Sequence, residues 1–331
     1  MSNLLVNVRD QKFVLYEQIG IEKLFDTEQY SDFSTDVVDM MLSEAEKLAA
    51  EEMAPAFETA DKTDPAFFND GMAHAPRCFH APFWKLRNDG WFCPHFPEEY
   101  GGQGIPTMVN TALIELLGAA NYPLLMYVNL TVGAAGLIMN YGTKEQKNRY
   151  LYKMARGDWG GTMCLTEPGA GSDVGALRTT ARRLPNGTYG ITGTKCFISS
   201  GDHDLTENII HMVLARIEGD PAGTGGISIF IVPKFRVNDD GRPGRFNDVV
   251  TGSLEHKMGI KGSATATLNF GDDALCVGEL LGEERAGMRI MFRMMNEARL
   301  ETGMQGLSYA SAALEHAVQY AALFVAVDRA E

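Results

Sequence analysis

The residues best suited to chemistry lie in one stretch, 163–201. Met163-Cys164-Leu165-Thr166-Glu167-Pro168-Gly169-Ala170-Gly171-Ser172-Asp173 runs from an apolar segment into a bend rich in Gly and Pro. Lys195-Cys196-Phe197-Ile198-Ser199-Ser200-Gly201 then returns with a hydroxyl at Ser199. Such a bend leaves backbone N–H groups free to face a ligand. Hydroxyls at the ends of two strand-like runs, with donors between them, suit a planar, polar molecule that carries phosphate. Glu167, just before a proline, reads either as a catalytic carboxylate or as the anchor of the bend; the anchor is the simpler reading.

Other chemistries find less support. Gly169 to Gly175 is not Gly-x-Gly-x-x-Gly and follows no strand–helix alternation. There is no nucleotide P-loop and no Gly-x-Ser-x-Gly elbow, and Ser172 has no base beside it. The seven histidines lack His-x-x-x-His spacing, so no metal site is expected. A net charge of −14 speaks against a nucleic-acid groove or an anionic membrane surface. Cys78, Cys93, Cys164, Cys196 and Cys276 form no Cys-x-x-Cys pair and read as buried, reduced thiols. With no signal-peptide core and no transmembrane segment in view, a cytoplasmic protein is expected.

These motifs need elements to hold them. Hydrophobic residues make up 45% of the 331 positions, enough for two or three domains with real cores. Residues 1–32 read as an extension that straps onto the rest. Ser34 or Thr35 caps an amphipathic helix over 35–60, with Pro55 as a kink or stop. Another helix spans 82–92 and ends near Gly90. A tight loop follows at Pro97-Glu98-Glu99-Tyr100-Gly101-Gly102. Two helices rich in small residues, 107–120 and 123–140, read as core, and a charged helix covers 144–154. From 161 the pattern changes to short runs rich in Val, Ile and Thr (209–217, 226–232, 265–270). Asn186-Gly187 is a strong hairpin signal. The fold class expected is α+β and multidomain. A helical domain spans 33–160, an antiparallel β domain 161–280, and the start of a C-terminal helical bundle 281–331. The last helix, from about 287, has little left to pack against, so the chain is expected to be truncated. Its Met-rich face over 288–318 should then be exposed.

Four motifs in register carry a family resemblance. They are 164–173, Ile191-Thr192-Gly193-Thr194-Lys195-Cys196-Phe197-Ile198-Ser199, 97–102, and Lys257-Met258-Gly259-Ile260-Lys261-Gly262-Ser263. Together they resemble the acyl-CoA dehydrogenase family over roughly 35–321. The preface is similar to a larger-subunit branch that includes methylthiopropionyl-CoA dehydrogenases. The resemblance implies FAD as cofactor, with Leu165 and Thr166 at the flavin ring and Gly171 and Ser172 near the pyrophosphate and the thioester ligand. It puts Phe197 where relatives often have Trp, and Ser199 in place of a Thr. It implies α,β-dehydrogenation of an acyl-CoA to a 2-enoyl-CoA, an electron-transferring flavoprotein as acceptor, and a homo-oligomer. Asn129 stands where many relatives have a Glu lining the acyl pocket. The base of most relatives would fall beyond residue 331. A few carry it at the position of Ala298, and the neighbouring Glu297 and Glu301 are weak candidates, each turned about 100° or more away per residue of offset. A non-catalytic flavin- or acyl-CoA-binding protein, and a flavin monooxygenase or oxidase on the same scaffold, remain alternatives.

Overall fold

The computed structural model describes residues 4–328. Short helices α1 (Val8–Lys12) and α2 (Glu22–Phe25) flank a π-helical turn, Phe13–Ile19, and Val6, Leu15 and Ile21 are buried. They pack with Val38 and Leu42 of α3 (Thr35–Leu48) and with Val109, Leu113 and Leu116 further on, so the preface docks as a strap. The helix expected over 35–60 is interrupted. A π turn at Ala49–Met53 separates α3 from α4 (Ala54–Lys62). The cause is Pro55, which has no N–H for an i→i−4 bond and crowds the preceding turn.

A small hairpin, β1 (Phe67–Asn69) and β2 (Met72–His74), leads to α5 (His80–Asn88), and Gly90 turns the chain at φ +80°. In the 97–102 motif Gly102 is required, because a Cβ there would sit 2.0 Å from the Phe96 carbonyl oxygen. The two helices expected at 107–140 join as α6 (Thr107–Tyr141), broken by non-helical backbone at Asn121, two residues before Pro123. Among the described residues α6 is the helix long and apolar enough to cross a bilayer, yet 78% of its most apolar 18-residue window is buried inside the protein. It is a core helix. After Thr143, which makes a capping box with Gln146, come α7 (Lys144–Gln146) and α8 (Tyr152–Ala155), joined by another π turn.

The β region holds β3 (Trp159–Cys164), β4 (Thr180–Arg183), β5 (Tyr189–Ser199), β6 (Asn208–Ile217) and β7 (Ile227–Pro233). A minor pair, β8 (Phe235–Val237) and β9 (Pro243–Phe246), precedes β10 (Val249–Leu254), β11 (Thr265–Phe270) and β12 (Cys276–Leu280). The Asn186-Gly187 turn joins β4 to β5, with Arg183 opposite Tyr189. Strands β5, β12, β7, β6 and β4 pair in a closed ring. Strands β11 and β10 continue from β5, and β3 lies beside β6. The sheet is antiparallel except where β6 meets β3 and β4, which run parallel to it.

The helical and β layers share one core cluster that includes Tyr127, Val128, Trp159, Leu165, Ile210, Met291 and Met294. Polar ties reinforce it. The Gly161 N–H donates to Thr131 Oγ1 at 3.0 Å, and a Cβ on Gly161 would come within 2.7 Å of the Ala134 Cβ. Tyr127 Oη donates to the Gly262 carbonyl and accepts from the Ala264 N–H, which pins the end of the 257–263 motif to α6. The final helix α9 (Gly287–Asp328) packs along α6. The exposure expected over 288–318 is found only in its second half: Met291 and Met294 are buried against α6, where the Gly133 position leaves room for Met294. Further along the same helix Leu300, Leu307, Leu314 and Val318 are exposed, as expected.

Candidate active site

Strands β3 and β5 bring the two halves of the 163–201 stretch together. The Cys196 N–H donates to the Thr166 carbonyl at 2.9 Å. Below this contact Lys195, fully buried, donates through Nζ to the Leu165 carbonyl at 3.0 Å and to Glu167 Oε1 at 2.8 Å. Glu167 also accepts from the N–H groups of Arg178 and Thr179 and from Thr179 Oγ1. Burial works to raise the Glu167 pKa, but the Lys195 charge and these donors outweigh it and hold the carboxyl below its usual range. Burial presses Lys195 towards its neutral form, in tension with that pairing. Two acceptors on one ammonium favour the ion pair, so the carboxyl stays ionised opposite the charged lysine. Glu167 is thus the anchor of the bend, with its oxygens committed to it. Lys195 is the partner that sequence reasoning missed. Its signal was a lone cation in an apolar strand opposite an acid.

On this base the bend folds over itself, with Glu167 and Ala170 exchanging both backbone hydrogen bonds. Gly171 and Ser172 are exposed at its crest, and a Cβ on Gly171 would lie 3.8 Å from Thr166 Cγ2. Among the described residues nothing accepts from the N–H groups of Gly171 or Ser172. Phe197 sits where the β5–β11 register shifts, at φ +58°, and its ring is 63% exposed. A bulge of this kind re-aims a side chain out of the sheet. Ser199 ends β5, partly buried, opposite Thr265. Leu165 is buried in the shared core, and Thr166 is partly exposed between it and the crest. The structure therefore gathers Leu165, Thr166, Gly171 and Ser172 with Phe197 and Ser199 at one end of β3 and β5.

Asn129, Glu297 and Glu301 belong to a different place. All three line a cavity of about 550 Å³ between α6, α9 and residues 91–96, and none of Leu165, Thr166, Phe197 or Ser199 lines it. Asn129 is 6% exposed and its Nδ2 has no partner. Glu301 is partly buried, and its carboxyl is pushed up to about 7, first by burial and then by the charge of Glu297. Burial also raises Glu297, against the pull of Arg293, whose Nε lies 3.7 Å from Glu297 Oε1. The aromatic wall of this cavity, Trp91, Phe92 and Phe96, was not foreseen. Its signal was the density of rings just before the 97–102 loop.

The fold and these motifs define a flavoenzyme-type scaffold, and comparison with known proteins gives it a family. The acyl-CoA dehydrogenase N-terminal domain matches residues 35–158, and the acyl-CoA dehydrogenase middle domain matches 162–272. The chain belongs to the acyl-CoA dehydrogenase family. It is 41% identical over 313 residues to a butyryl-CoA dehydrogenase of Syntrophomonas wolfei, covering 91% of this chain and 51% of that protein. It is 38% identical over 314 residues to the 3-methylmercaptopropionyl-CoA dehydrogenase of Ruegeria pomeroyi, covering 95% and 53%. An acyl-CoA dehydrogenase from Bacillus anthracis, solved in complex with FAD, superposes with a TM-score of 0.67 at 29% identity, over 84% of this chain and 42% of that one. The chain spans about half the length of these two curated relatives.

Proposed function

We propose that this chain forms the flavin-holding part of an FAD-dependent acyl-CoA dehydrogenase. The observation that carries the reading is the joint presentation of Thr166, the open Gly171–Ser172 crest and the exposed Phe197 ring at one end of β3 and β5. The fit to FAD is physical. Unpartnered N–H groups at Gly171 and Ser172 suit an anionic group. The Phe197 face suits a planar ring, and the hydroxyls of Thr166 and Ser199 suit its polar edge. When bound, FAD supplies a two-electron acceptor for the dehydrogenation of the acyl thioester to its 2-enoyl product. This chain's part is to hold and orient. The Lys195–Glu167 pair fixes the bend, the bulge aims Phe197, and Leu165 closes the dry side. Ser172 serves both cofactor and thioester ligand.

The reading assigns proton abstraction to neither Glu297 nor Glu301, because they line a cavity that the flavin-holding residues do not share. Asn129 is assigned to the acyl chain's surroundings. An electron-transferring flavoprotein as acceptor and assembly as a homo-oligomer belong to the same proposal. The test is a titration of the 331-residue protein with FAD, followed by flavin fluorescence. Saturable one-to-one binding, weakened by Gly171→Val, supports the reading. No saturable binding refutes it.

A further inference from the structure

Glu297 and Glu301 are one helical turn apart on α9, and both line the cavity against α6. Like charges at this spacing repel even on an open helix surface. Here the opposite wall is aromatic and apolar, with Trp91, Phe92 and Phe96. Glu297 Oε2 and the tip of the Phe96 ring both lie about 4 Å from where a Cβ on Gly136 would stand, 3.8 and 4.0 Å respectively. Asn129 adds a buried amide whose Nδ2 makes no hydrogen bond. Turned about its terminal bond, that amide presents either a donor or an acceptor to the same space.

The cavity supplies too little positive charge for its acids. Arg293 sits at the rim beside Glu297, half-exposed. His95 is held neutral by burial, which lowers its pKa, and Tyr122 is pushed up to about 12, chiefly by burial. Among the described residues no basic side chain pairs with Glu301. Two acids that share one half-exposed cation at the rim, with Glu301 unpaired, leave the cavity net negative beside aromatic side chains, an environment that recognises an ammonium group by charge and by attraction to the rings.

We propose that this cavity receives the distal end of an acyl thioester whose chain terminates in a cationic nitrogen, a trimethylammonium or a primary ammonium group. The inference rests on the acyl-CoA dehydrogenase reading and names its substrate class. A trimethylammonium group is small beside about 550 Å³, which leaves room for several methylenes of the chain.

The test compares 6-(trimethylammonio)hexanoyl-CoA with 7,7-dimethyloctanoyl-CoA, which has the same shape and no charge, by titration calorimetry at pH 8. The cationic thioester should bind about tenfold more tightly. That preference should vanish in the double variant Glu297→Gln, Glu301→Gln, with an unchanged circular-dichroism spectrum as the folding control. Equal or tighter binding of the neutral thioester overturns the proposal and leaves the acyl-CoA reading standing. If neither thioester binds, the acyl-CoA reading fails, and the cation site is judged on hexyltrimethylammonium alone. Saturable binding lost in the double variant upholds the site; no binding overturns it.

Discussion

Lys195 donates to Glu167 at 2.8 Å with both side chains buried, and the bend that carries Gly171 and Ser172 hangs from this pair. Removing one partner strands the other charge in the core. Lys195→Met is expected to cost about 3–5 kcal/mol of stability. Urea denaturation of the variant checks it. FAD affinity should fall as well, because the crest loses its foundation.

Phe197 separates binding from stability. Its ring is 63% exposed, and its backbone lies at φ +58°, where a non-glycine residue is strained. Phe197→Gly should leave the protein equally stable or more stable by about 1 kcal/mol. The same change should weaken FAD binding about fivefold, by loss of the aromatic face. Thermal unfolding and fluorescence titration of one preparation read both effects.

Gly161 brings the β layer close against α6. Its substitution by Ala would bring a methyl within 2.7 Å of the Ala134 Cβ and 2.8 Å of Met154 Cε. Met154 can give way, but the helix at Ala134 has less freedom. A loss of about 1–3 kcal/mol is expected, measured by chemical denaturation. Because β3 runs on into Leu165 and Thr166, flavin affinity should drop in the same variant.

Glu301 makes stability depend on pH. Folding raises its pKa to about 7, while the unfolded chain titrates near the ordinary value of about 4.3. Between these values the unfolded state releases the proton and the folded state keeps it. The stabilisation is therefore complete below about pH 4.3 and is lost as pH rises to about 7. Glu297, Arg293 and His95 line the same cavity, Tyr122 donates to the Glu301 backbone carbonyl, and together they set the background. Glu301→Gln should match the wild type near pH 4. Discounted for partial exposure, it should be more stable by about 2 kcal/mol at pH 8. Unfolding curves at the two pH values decide it.

Local pattern made much of this molecule legible. The runs at 209–217, 226–232 and 265–270 form strands almost residue for residue, because β-branched runs between turn residues have few other options. The Asn186-Gly187 hairpin formed for the same reason. What depended on distant partners was not legible. The parallel pairing of β3 with β6 joins segments more than forty residues apart. The π turn before Pro55 and the merging of two helices into α6 are local adjustments that a periodicity count smooths over. The burial of Met294 on α9 depended on Gly133 being small enough to admit it. At the candidate site the motif residues were recognisable by order. The Lys195–Glu167 pair and the shared cavity of Asn129, Glu297 and Glu301 emerged only from three-dimensional packing.

The central claim is that the end of β3 and β5 holds the flavin. Hydrogen–deuterium exchange of the 331-residue protein, with and without saturating FAD, tests it most directly. The account predicts added protection in peptides covering 165–173 and 195–200. Bound FAD that leaves those peptides unchanged, or protects a different region instead, would contradict it.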